Sequence, residues 1–99
     1  MRYELSPKAQ KDMKDIALYT LRQWGSAQSV CYENDFLAAF DRIGQNPLLP
    51  GSRSCEDMLP NARLLMVGKH WVIYRHTKKW PEILRVLHQQ MHLPLHRLR

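Results

Sequence analysis

Most patterns that mark small enzymes, membrane proteins and secreted domains are missing from this 99-residue chain. There are two cysteines, Cys31 and Cys55, and they form no C-x-x-C pair. Neither a disulfide framework nor a thiol redox motif is needed to explain them. Four glycines leave no glycine-rich phosphate loop, and G-x-S-x-G and H-E-x-x-H are both absent. The apolar runs are only a few residues long, too short to cross a bilayer. The opening MRYELSPKAQ runs directly into a charged segment without a signal-peptide core, so the expectation is a cytoplasmic protein with no membrane partner. No repeat, low-complexity tract or second composition appears. Residues 1–99 therefore read as a single domain.

Acidic residues are scarce in one region only. Residues 1–68 carry eight Lys/Arg and eight Asp/Glu and sum to zero. Beyond Gly68 stand Lys69, Arg75, Lys78, Lys79, Arg85, Arg97 and Arg99 against Glu82 alone, which is the whole net charge of +6. All five histidines, His70, His76, His88, His92 and His96, fall in the same third. Such asymmetry points to an acidic partner, either nucleic acid or a protein with an acidic face; a solvated basic surface is the plainer account.

Periodicity supplies the elements. Met1, Tyr3 and Leu5 alternate with Arg2 and Glu4 as a short strand. Ser6 offers an N-cap hydroxyl and Pro7 suits the first helical position, and the spacing predicts a helix over 7–24. Its apolar stripe is Ala9, Met13, Ile16, Ala17, Leu21 and Trp24, with Lys8, Lys11, Asp15 and Arg22 opposite. Gly25 is a helix stop, and Ser26 a cap for a second helix. That helix carries Tyr32, Phe36, Ala39, Phe40 and Ile43, has Leu37 at its margin, and ends at Asn46-Pro47. Residues 47–60 read as a loop. Strands follow over 62–67, 70–76 and 82–88, with a tight turn at Gly68-Lys69 and a longer connection over 77–81. Pro94 limits any helix in the tail that begins at Gln89. The result is an α+β fold of order β-α-α-β-β-β. It is a two-helix antiparallel hairpin on a mainly antiparallel four-stranded sheet, with a short C-terminal tail. Ile16, Leu21, Phe36, Phe40, Val72 and Val86 are the expected core, and Trp24 is read with them.

The constellations that could carry chemistry are incomplete. His88, His92 and His96 have a four-residue spacing that could hold zinc on a helix, but Pro94 interrupts it and no fourth ligand follows, so no metal or other cofactor is expected. Acid–base cleavage of RNA needs a proton acceptor, a proton donor and cations around the phosphate. Glu82, Arg85 and His88 with Lys69, Tyr74 and Arg75 supply the residue types. In a regular strand, however, Arg85 faces away from Glu82 and His88. No catalytic residue is assigned. Trp71 and Trp80 are candidates for a partner surface, as stacking platforms or protein contacts. No RNP motif or helix-turn-helix is present.

Taken in order, YELSPKAQKDMKDIALYTLRQWG, IGQNP, VGKHWVIYR and EILRVLHQQM resemble the ParE toxins of the RelE/ParE superfamily. The likeness runs from Tyr3 to about Met91. Its most specific marks are D-I-x-x-Y-x-x-x-x-W-G at Asp15–Gly25, Asn46-Pro47 and I-L-R-V-L-H at Ile83–His88. The resemblance implies the toxin of a type II toxin–antitoxin pair. Such a toxin is neutralised by a ParD-like antitoxin, and it acts as a non-enzymatic poison of DNA gyrase, through the A subunit. It exists as a homodimer or as a toxin–antitoxin hetero-oligomer. The alternative is the RelE branch, whose members cut mRNA on the ribosome with a tyrosine near the C-terminus; here no tyrosine follows Tyr74. Gln89-Gln90-Met91-His92 stands where ParE chains commonly carry a Gly-Arg-Met-Asp-like stretch. The resemblance makes Arg85, His88, Met91 and Arg97 the gyrase-directed candidates. Trp71, Arg75, Lys78 and Trp80 are the antitoxin-binding candidates. A purely structural role for Arg85 would anchor its strand to an acid such as Glu4.

Overall fold

The computed structural model describes residues 3–57, 59–77 and 79–89. Strand β1 (Glu4–Leu5) leads into helix α1 (Pro7–Trp24), and α2 (Ser26–Gln45) follows after the single residue Gly25. Then come β2 (Arg53–Ser54), β3 (Ala62–Val67), β4 (His70–Arg75) and β5 (Glu82–His88). The sheet order is β1-β5-β4-β3-β2, with β1 parallel to β5 and every other pair antiparallel. The α+β class and the helical hairpin are as expected. The fifth strand is not: Arg53 and Ser54, inside the segment read as a loop, pair with Leu64 and Arg63. Two residues hold no alternation to read, so pairing alone makes them a strand.

Local chemistry sets the helix ends. Ser6 Oγ accepts the Ala9 N–H at 3.0 Å and Pro7 takes the first position. Gly25 has φ +91°, a conformation that side chains rarely adopt, and its N–H closes the last turn onto Leu21 O at 3.0 Å. It is also the cap position of α2, which has no side-chain cap bond, so Ser26 is the first helical residue and does not cap. β4 ends at Arg75, leaving His76 exposed in the connection. Met1 and Arg2 of the expected opening alternation, and the tail beyond Gln89, lie outside the described residues.

The core has two parts, one on each face of the sheet. Toward the helices, Phe36, Ala39, Phe40 and Ile43 of α2 pack with Tyr3, Ala9, Leu65, Val67, Val72, Tyr74, Ile83 and Val86. On the outer face, Cys55 and Leu59 fold over Ala62, Leu64, Ile73 and Leu87. Burial raises the Cys55 thiol, with help from nearby Asp57, so it is a packing residue and a poor nucleophile. Of the expected core, Phe36, Phe40, Val72 and Val86 are buried and Ile16 is partly so. Leu21 and Trp24 are exposed, Trp24 at 71%. In this part of α1 the buried residue is Thr20, so the inward face passes through Thr20 and leaves Leu21 and Trp24 outside.

Phe40 is fully buried and its ring lies 5.5 Å from that of Tyr3. Phe40→Ala is expected to lower stability by about 3–5 kcal/mol. In a domain this small, that is a fall of at least about 12 °C in the thermal midpoint, and an unchanged midpoint would refute this packing.

Candidate functional site: the helix-facing edge of β4 and β5

β5 does not run regularly. Ile73 is opposite Arg85, but Tyr74 is opposite Ile83, so the register slips and Leu84 is left without a cross-strand partner. Ile83 and Val86 belong to the helix-side core, while Leu84 and Leu87 belong to the outer one. The bulge undoes the expectation that Arg85 and His88 face opposite ways. Both lie toward the helices, Arg85 reaching α1 and His88 meeting His70. Glu82 turns outward and pairs with Arg75 of β4 at 3.0 Å.

Arg85 is engaged by Asp12, not by Glu4. Its Nε and Nη2 donate to the two Asp12 oxygens at 2.8 and 3.0 Å, and the Val86 N–H donates to the same carboxylate at 2.9 Å. The hydrogen bonds to Asp12 hold the guanidinium above its usual range. Asp12 was missed in the sequence, although a signal was there. It lies between Ala9, Met13 and Ile16 on the apolar stripe, where an acid needs a buried partner. Glu4 instead accepts the Trp80 Nε1–H at 3.0 Å, and the Lys79 ammonium lies 4.9 Å from the Trp80 ring centre.

Next to this pair is a second polar cluster. The Tyr32 hydroxyl of α2 is hydrogen-bonded to His70 Nδ1 and accepts the Lys69 N–H at 3.3 Å. The His70 and His88 rings meet edge-on, 5.0 Å apart. Burial first, then the neighbouring His88, pushes His70 down from 6.5 to about 4, and burial raises Tyr32. At neutral pH the histidine is therefore uncharged and the tyrosine hydroxyl is the donor. Gly68 makes the contact possible: its φ is +58°, and a Cβ there would stand 3.0 Å from the Tyr32 ring and hydroxyl.

The remaining candidates are spread out. Trp71 and Arg75 lie on the outer face at opposite ends of β4, Trp71 half-buried with the Arg53 guanidinium 5.4 Å from its ring centre. Tyr74 is fully buried and donates its hydroxyl to Pro47 O at 2.5 Å, so it is not available to a substrate. Lys78, Met91, His92, His96 and Arg97 lie outside the described residues. Among the described residues no helix is long and apolar enough to cross a membrane.

Residues 3–93 match the family model of the ParE toxin of the type II toxin–antitoxin system parDE. Toxin ParE1 of Caulobacter vibrioides is 33% identical over 94 residues, spanning 95% of each chain. A solved structure from the chromosomal ParDE toxin–antitoxin system of P. aeruginosa shares the fold, with a TM-score of 0.77 at 20% identity. It covers 89% of this chain and 95% of its own.

The neutral state of His70 makes stability pH-dependent. A base depressed in the folded state stabilises fully above its unfolded value near 6.5 and loses that contribution as pH falls toward 4, about 3 kcal/mol in all. His70→Gln keeps a polar partner for Tyr32 but does not titrate. Its unfolding free energy should fall less steeply than that of the unmodified protein between pH 6.5 and 4; parallel curves would assign the acid sensitivity to other groups.

Proposed function

The chain belongs to the ParE toxin family of type II toxin–antitoxin systems, and from that membership we propose that it inhibits DNA gyrase through its basic C-terminal region. The observation that carries this reading is the charge division: all of the +6 excess lies beyond Gly68. A cationic segment adds attraction to an enzyme working on a polyanion, with no need for a proton-transfer site. His88, Met91 and Arg97 are the proposed target-directed residues. Arg85 belongs with them through the strand it holds. The ribonuclease alternative is weaker, because the last tyrosine of the chain is committed to the core.

Neutralisation follows from the same surfaces. A ParD-like antitoxin segment would place acids against the basic third, with Trp71, Arg75, Lys78 and Trp80 as its proposed contacts. Its apolar anchors would cover Leu21, Trp24 and Val30, which α1 and α2 leave exposed. The solved structure that shares the fold comes from a ParDE toxin–antitoxin system, which supports an antitoxin partner for this chain.

Two measurements test this. Purified protein should inhibit gyrase supercoiling, and a chain ending at Gln90 should keep its fold but lose that inhibition; cleavage of ribosome-bound mRNA with gyrase unaffected would install the RelE-type reading instead. Co-expression with the small protein encoded beside it should give a stable complex. Separate migration of the two at micromolar concentration would remove the antitoxin assignment.

A further inference from the structure

Asp12 occupies the Nε–Nη2 edge of Arg85, so a carboxylate or phosphate of a target cannot take that edge while the pair is intact. Asp12 takes three donors from two successive residues of β5, and only 13% of its side chain reaches solvent. These bonds lie just past the register slip at Leu84, where the two-residue β1 no longer runs beside β5. One step earlier, Ser6 covers the same edge: its N–H donates to Ile83 O at 2.9 Å and its hydroxyl to Leu84 O at 2.8 Å. Ser6 and Asp12 together stand in for the strand that β1 does not supply, and they fix the bulged path of β5 toward His88.

We propose that Asp12 is a positioning residue for target inhibition, holding the end of β5 in its active path and keeping Arg85 out of contact with the target. The proposal rests on the gyrase-directed reading above. It separates two uses of Arg85 by the response to losing Asp12. If Arg85 works through Asp12, removing either residue breaks one joint, and the two losses do not add. If Arg85 touches the target, removing Asp12 frees the fork and leaves inhibition intact or stronger.

The test compares Asp12→Ala, Arg85→Ala, the double variant and the exchanged pair Asp12→Arg/Arg85→Asp. It reads supercoiling inhibition, growth arrest on induced expression, antitoxin capture and the exchange rate of the Val86 amide. Each single variant should lose inhibition by on the order of tenfold, the double no more than the worse single, and the exchanged pair should regain part of the loss. Antitoxin capture should stay unchanged while the Val86 amide exchanges faster; a merely structural defect would lower capture as well. Should Asp12→Ala not fold, Asp12→Asn, which keeps one acceptor oxygen, takes its place. Full potency in the Asp12 variant with loss in Arg85→Ala, or additive losses, would overturn the proposal. An intact protein without effect on gyrase would instead overturn the functional reading, and growth arrest with Val86 exchange would then decide the role of Asp12.

Discussion

A carboxylate on the apolar side of an amphipathic helix constrains everything packed against it. The Asp12 carboxylate lies in the seam between α1 and β5, where its oxygens need donors, and Arg85 and Val86 supply three. That requirement fixes the rotation of α1 about its axis and its position along β5. It also accounts for the use of the bulge: the slip at Leu84 brings an arginine and a backbone N–H within reach of the same side chain. The helix start is tied to the same strand, because the Ser6 hydroxyl both caps α1 and bonds Leu84 O. Helix register and strand irregularity are one device.

The second helix is held by a different chemistry at a neighbouring place. Tyr32 of α2 bonds His70 at the start of β4, and His70 is backed by the rings of Phe36 and His88. Here both partners are neutral at pH 7, so the joint avoids the desolvation of an ion pair but depends on pH. The two joints fasten the hairpin along the sheet. Leu21, Trp24 and Val30 of the hairpin stay exposed among the described residues.

Periodicity made the helices legible, and residue type with turn signals the three long strands. The helices repeat their apolar positions at 3.6 residues, and the strands are short runs rich in Val, Ile, Leu, Trp and Tyr bounded by turns; α1, β3 and β5 begin and end where those signals do. Two kinds of feature were not legible. One is anything too short to repeat, such as Arg53–Ser54, which pairing creates. The other is any break in the repeat that tertiary contacts impose. Strand parity separated Arg85 from His88, and only the bulge puts them on one side, where Arg85 meets Asp12 some seventy residues earlier in the chain. Leu21 and Trp24 likewise obey the helical stripe yet are exposed, because which residues of that face are covered depends on tertiary packing, and here the buried one is Thr20.

These joints also decide which positive charges a partner can meet. Of the cations beyond Gly68, Arg85 is held by Asp12 and Arg75 by Glu82, so neither presents an unopposed charge. Lys69 and Lys79 are exposed, one at the turn before β4 and the other in the connection after it. The excess that composition assigns to the last third is thus partly spent inside the fold. Among the described residues, the charge left for a partner is carried by the turn lysines at the two ends of the sheet. The helix-facing side of β5 is already neutralised by the residues that hold it in place.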